Sequence, residues 1–172
     1  MDPISLITLL IFGGIVALVA SYFVARYLKG NLKINLEKNT YSSGEKIVGR
    51  VELKAKKEIK AKRFFVSLIA EKKEYEKSNK NQETWRKIYE HEELLEGARD
   101  YTVGFMQIYK FEISVPNKAE IDGKIQNSEL NALINLSKII SKGNVLRWRV
   151  QVTLDAKGVD LVSEQKIEVK LI

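Results

Sequence analysis

The stretch that most constrains this chain is Pro3 to Ala25, 23 residues without a charge, bracketed by Asp2 and Arg26. A helix rises about 1.5 Å per residue, so the run spans roughly 34 Å, against a bilayer hydrocarbon core of about 30 Å. Neither a β-sandwich nor a short buried helix needs so long an apolar surface. The run predicts a membrane anchor over residues 1–29, with the span at about 4–27, and a separate domain over residues 30–172.

A cleaved leader is the competing reading. It wants a basic start, a short apolar centre and a small-x-small cleavage site after it. Here the start carries Asp2, the apolar run is nearly twice too long, and Ala17 to Ala20 lies inside it. A permanent anchor is the better fit. Arg26, Lys29 and Lys33 follow the run, so the positive-inside rule places the N-terminus outside and the C-terminal domain in the cytoplasm at the cell membrane. Tyr22 and Tyr27 are placed as interface anchors on that side. Gly13, Ala17 and Ser21 fall four apart on one helix face, a spacing that allows two helices to approach closely as a homodimer. The plainer explanation is the abundance of small residues in membrane helices.

Cysteine is absent, which removes disulfides and thiolate metal sites and fits a reducing compartment. The formal charge is +7, most of it beyond Lys29. A tethered basic domain gains attraction from an anionic leaflet, so the membrane surface is the simpler partner and nucleic acid is not expected.

Past Gly30 the pattern changes to alternation, the mark of half-buried strands. Leu32, Ile34 and Leu36 form one inward row; Val51, Leu53 and Ala55 form a second, with Arg50, Glu52, Lys54 and Lys56 outside. Asn39 to Gly44 reads as a turn cluster, and Gly49 as a bulge or a close backbone approach. A third strand starts at Ile59 and ends at Ala70, but its apolar parity switches between Ala61 and Phe64, which predicts a bulge near Lys62 and Arg63. Residues 71–83 read as a charged connection with a tip at Ser78 to Asn81. Strands follow over Thr84–His91 and over Tyr101–Val115, the second ended by Pro116. Ser128 to Lys142 has helical spacing, with Ser128 at the N-cap and Gly143 at the stop; this short inserted helix caps the sandwich or rests on a membrane or partner. Leu146 to Leu154 and Ile167 to Leu171 close the chain as strands. The class is all-β: an immunoglobulin-like antiparallel sandwich with one inserted helix, preceded by one transmembrane helix.

Several segments, taken in order, resemble the arrestin-like amino-terminal domain family, including its sporulation-control relatives in bacteria. Tyr41 to Leu53, with Gly44, Glu45 and Gly49, looks like the family's turn and following strand. Ile59 to Ala70 looks like its next strand, Phe111 to Pro116 like the strand ending in proline, and Leu146 to Asp155, with Trp148, like its aromatic strand. Glu164 to Leu171 fits the closing strand. The resemblance implies an arrestin-like sandwich acting as a scaffold or adaptor without chemistry of its own. The chain departs from arrestins in offering one sandwich and in gaining a membrane helix, so a phosphate-sensing interdomain clasp is not implied.

Residues that carry chemistry are sparse. His91 is the only histidine, and neither a second His nor a Cys stands at ligand spacing. Hydrolase-elbow, P-loop and dinucleotide motifs are missing. Asp155 and Asp160 flank Lys157 and Gly158 and read as a turn before they read as a cation site. No enzyme activity and no cofactor are expected. The candidate binding feature is basic: Lys54, Lys56, Lys57, Lys60, Lys62 and Arg63 lie within ten residues, offset by Glu58. It is an anionic-lipid or acidic-partner patch, or a solvated face whose lysines discourage edge pairing. The leading expectation is a membrane-anchored adaptor; the alternative is an extracytoplasmic immunoglobulin-like module in adhesion or envelope assembly.

Overall fold

The computed structural model describes residues 3–75, 83–117, 120 and 146–170. Helix α1 (Pro3–Lys29) takes in the whole uncharged run. From Ile11 to Ala25 its side chains are exposed on every side, Phe12 and Leu18 among them, so nothing of the protein covers this apolar cylinder. It is long and apolar enough to cross a membrane.

Strand β1 (Gly30–Leu36) begins on the residue after the helix ends, without a linker. It pairs with β3 (Lys46–Ala55), which pairs in turn with β7 (Met106–Ser114), giving a three-stranded antiparallel sheet in the order β1-β3-β7. The second sheet has β4 (Ile59–Tyr75) near its centre, flanked by β5 (Glu83–Glu96) and β8 (Leu146–Ala156). Strand β9 (Leu161–Lys170) pairs with β8, the three-residue β2 (Thr40–Ser42) lies beyond β9, and β6 (Arg99–Tyr101) pairs with the start of β4. The order is β2-β9-β8-β4-β5. The result is the expected all-β sandwich behind an apolar N-terminal helix.

Alternation dictates the packing. On β3, Ile47, Val51, Leu53 and Ala55 point in while Lys46, Arg50 and Lys54 point out. Phe64, Val66, Leu68 and Ala70 of β4 and Trp148, Val150, Val152 and Leu154 of β8 meet them from the other sheet. Full burial of each large aliphatic contributes about 1.5–3 kcal/mol before entropy is counted. Phe65, Ser67 and Ile69 are buried as well, so β4 is covered on both faces, which accounts for its nearly unbroken apolar run.

The parity switch on β4 is a register shift between Ala61 and Arg63 against β8, where the bulge was expected. Other expectations need correcting. Asn39 to Gly44 is more than a turn: Thr40–Ser42 forms β2, parallel to β9, and Tyr41 is buried with its hydroxyl donating to the Lys38 carbonyl oxygen at 2.7 Å. The sandwich is therefore antiparallel except at this edge. Residues 71–75 extend β4 rather than leaving it. Tyr101 to Val115 is two strands, because Thr102 to Phe105 turns the chain with Gly104 at φ 82°. Gly49 makes no bulge; it is a close approach, where an added Cβ would lie 2.6 Å from Phe111 Cζ. The tip at residues 78–81 and the inserted helix at 128–142 lie outside the described residues.

Candidate functional site

The end of the sandwich nearest α1 is built around the helix's last carbonyl. A helix leaves its final C=O groups without partners. Here the backbone N–H groups of Lys56 and Lys57, in the β3–β4 turn, donate to the Lys29 oxygen at 3.0 and 3.2 Å. Lys29 Nζ donates to the carbonyl oxygens of Lys157 and Val159 in the β8–β9 turn, and Arg26 reaches the Val162 oxygen. Lys56 Nζ donates to the Tyr27 carbonyl oxygen at 3.1 Å and stands 3.5 Å over the Tyr27 ring, a cation–π contact. The helix end, the β3–β4 turn and the β8–β9 turn thus form one rim.

The six predicted bases divide on this frame. Lys54, Lys57 and Lys60 are exposed on or beside the rim and make no ion pair among the described residues; Lys56 is engaged with Tyr27. Lys62, the extra residue of the bulge, and Arg63 just after it are exposed on the larger sheet, where acids meet them. Lys62 is 3.6 Å from Asp155, and Arg63 is 3.1 Å from Glu92 and 3.8 Å from Asp155, with its guanidinium over the Phe65 ring. The patch is therefore a free basic rim plus a paired, sheet-bound remainder.

Apart from Asp155, which lies near the rim, the residues of the family resemblance serve structure towards the opposite end. Gly44 takes φ 76° in the β2–β3 turn, and its N–H donates to the Val115 oxygen at 3.0 Å. The Glu45 carboxylate accepts the Ser42 N–H at 2.9 Å and pairs with Lys38, whose hydrogen bond holds the carboxyl below its ordinary range. Ser43 Oγ donates to the Pro116 oxygen at 3.1 Å, so two stretches about 70 positions apart meet. Trp148 is buried with its ring 5.9 Å from that of Tyr89. Asp155 faces outward to Lys62 and Arg63, while Asp160 accepts the Ala156 N–H at 3.0 Å and closes a turn through Gly158 at φ 92°. His91 is opposite Leu68 in the β4–β5 ladder; its side chain is 42% exposed and 3.8 Å from Glu93. Among the described residues no cluster of three or more His, Cys, Asp or Glu is placed to hold a metal.

Two polar clusters escaped the sequence. Glu96, at the end of β5, accepts the Tyr101 hydroxyl at 2.9 Å, the Tyr109 hydroxyl and the Arg99 guanidinium at 2.5 Å, tying β5 and β6 to β7 of the other sheet. Burial pushes the Glu96 carboxyl up, but the bonds from Tyr109, Arg99 and Tyr101 together outweigh it and hold it below the usual carboxylate range. Burial first, then its bond to Glu96, pushes the Tyr109 phenol up to about 12. On the outer face, Glu71 is flanked by Arg147 at 2.9 Å and Arg149 at 2.6 Å; burial raises its carboxyl, and the two arginines more than reverse that. In each cluster charged and polar residues from separate strands meet only after folding.

The topology and the two-sheet core define an arrestin-like β-sandwich. A structural neighbour shows the fold: the crystal structure of Spo0M, the sporulation control protein from Bacillus subtilis, aligns with a TM-score of 0.58 at 18% sequence identity. The match covers 84% of this chain and 50% of that one, so this chain spans about half the length of its neighbour. No protein-family model and no curated protein sequence matches the chain.

Proposed function

We propose that this chain is a single-pass membrane protein whose arrestin-like sandwich stands on the cytoplasmic face of the cell membrane as a non-catalytic adaptor. It binds protein partners, with its free basic rim against the anionic leaflet. The carrying observation is the joint at Lys29: two turns of the sandwich hydrogen-bond to the helix end, so the helix is built into the fold. A leader removed by cleavage would take those bonds with it, which supports a permanent anchor. The basic residues at the joint favour the cytoplasmic side. The side chains of Lys54, Lys57 and Lys60 make no ion pair among the described residues and stand where lipid headgroups would supply counter-charges. The arrestin-like fold supports an adaptor over an enzyme, as its neighbour carries the description of a control protein.

Reporter fusions at the C-terminus, combined with alkaline extraction of membranes, test the reading. The expected result is a carbonate-resistant protein whose reporter is active only in the cytoplasm. A reporter active only outside the cell would establish the extracytoplasmic module instead, and carbonate-soluble protein would remove the anchor.

A further inference from the structure

The rim carries a feature that its charge does not explain. Between β6 and β7, Thr102 to Phe105 form a tight turn, closed by the Phe105 N–H donating to the Thr102 oxygen at 3.1 Å. Gly104, at φ 82°, supplies the left-handed residue that a type II turn needs at its third position. Val103 is then the second residue of the turn and its tip, 69% exposed, and Met106 just beyond is 62% exposed. Turn tips favour Gly, Pro, Asn, Asp and Ser; a β-branched aliphatic there leaves apolar surface in water.

Position supplies the explanation. The Gly104 N–H donates to the Ala55 oxygen and the Ala55 N–H to the Phe105 oxygen, both at 2.9 Å; the next two N–H groups along, of Lys56 and Lys57, hold the Lys29 oxygen. The turn is thus fastened beside the helix exit. Behind its tip, Phe105 is packed 5.0 Å from Tyr101, and the Arg99 guanidinium lies 4.9 Å from the Phe105 ring, which stiffens the turn. Uncharged sequence ends at Ala25, and the four residues to Lys29 carry the helix on by about 6 Å. The headgroup layer on each side of the hydrocarbon is about 5–7 Å thick. The rim therefore sits at headgroup level, with Lys54 opposite Met106 in the β3–β7 ladder and Lys57 at the neighbouring turn.

We propose that the β6–β7 turn is an apolar foot: Val103, followed by Met106, enters the interface of the anionic bilayer beside the helix exit and stands the sandwich end-on. The occupant is the bilayer proposed to seat α1, since the foot is continuous with that span and flanked by Lys54 and Lys57, which make no ion pair among the described residues. The inference rests on the reading of α1 as a membrane span. The foot and the lysines act together, as apolar contact plus attraction to anionic headgroups is the usual means of interfacial binding.

The test uses the full chain, which has no cysteine of its own. Val103→Cys, Met106→Cys and Glu37→Cys are each labelled with an environment-sensitive fluorophore and reconstituted into phosphatidylcholine vesicles containing phosphatidylglycerol and a lipid-borne quencher. Glu37 is exposed just past β1, about 23 Å along the strand from Gly30, and reports the far end. The expected result is several-fold stronger quenching at 103 than at 37, with 106 between them. Equal quenching at 103 and 37 in a carbonate-resistant protein overturns the foot and leaves the anchor standing. A carbonate-soluble protein overturns the anchor and the foot together. Because all three positions are exposed, circular dichroism of each labelled protein is expected to match the parent; if one label disturbs the fold, the other rim position against 37 decides.

Discussion

The joint between helix α1 and the sandwich makes its sharpest prediction at Gly30. This residue opens β1 opposite Ala55, and a methyl group on its Cα would lie 2.6 Å from the Lys54 carbonyl oxygen and 3.0 Å from Leu161 Cδ1. Relaxed carbon–oxygen contacts between strands run at about 3.3–3.6 Å, so Gly30→Ala demands roughly 0.7 Å of extra space. The obstacle is backbone, and giving way means parting β1 from β3 at its first rung. Overpacking costs about 1–3 kcal/mol, and a weakened ladder bond adds about 0.5–1.5 kcal/mol. A total near 2–3 kcal/mol lowers Tm by about 6–15 °C in a folded unit of this size. Gly49→Ala meets side chains rather than backbone, Phe111 Cζ at 2.6 Å and Leu36 Cδ2 at 2.9 Å, and costs less because no ladder bond has to part; Gly97→Ala meets nothing within 4 Å and is neutral or slightly stabilising. Near-ultraviolet circular dichroism melts of the full chain in detergent rank the three. A Gly30→Ala protein melting with the parent, or above Gly97→Ala, would refute the claim that strand and helix are locked at this point.

The Glu96 and Glu71 carboxyls are held below their ordinary 4.5, so the stability they contribute is present above that value and fades as pH falls through their folded values. Denaturant midpoints are expected to hold from pH 7 to about 5 and then fall, with Glu96→Gln losing about 1–3 kcal/mol at pH 7 and showing a shallower acid fall; an unchanged acid limb would remove Glu96 from the account. Tyr101 and Tyr109 are both raised above 10.0, so stability is lost again once pH climbs past that value, and Tyr109→Phe reduces the alkaline loss seen in the same titration. Reversing Lys54, Lys57 and Lys60 to Glu is expected to weaken lipid quenching at position 103 in anionic vesicles and leave it unaltered in neutral ones, each base near such a surface being worth about 1 kcal/mol. We propose that the Gly13, Ala17 and Ser21 face supports a homodimer; crosslinking in membranes should then drop on Ala17→Leu and persist on Leu18→Ala.

Much of the sandwich is visible in the residues because inward and outward positions alternate so regularly. The bulge after Ala61 could be read in advance, since a one-residue parity slip must put either Ala61 or Phe64 on the wrong face unless an extra residue intervenes. β2 was missed because three residues have too little periodicity to stand out from Asn, Ser and Gly, and its partner β9 lies 128 positions away. The Thr102–Phe105 turn was missed because Val, Phe and Met on either side of Gly104 look like strand; only the glycine signalled a reversal. The basic run was legible as charge, yet its division was not: Asp155 and Glu92, which neutralise Lys62 and Arg63, come from strands far along the chain. The Glu96 cluster was hidden for the same reason, as nothing local tells that two tyrosines of different sheets converge on one carboxylate.

Helix α1 ends at Lys29 and β1 begins at Gly30, and that adjacency has a mechanical consequence. Ten residues of Gly/Ser-rich linker would let a tethered module wander over about 16–19 Å. With none, the sandwich explores almost no volume of its own, and its motion is that of the helix: with α1 in a bilayer, as proposed, it would slide in that plane and turn only when the helix turns. On that proposal a membrane-bound partner would meet a surface of fixed height and heading, and the search between them would be two-dimensional. Any rotation imposed within the membrane, for instance by pairing of two helices, would reach the sheet edges as torque with little lost in between.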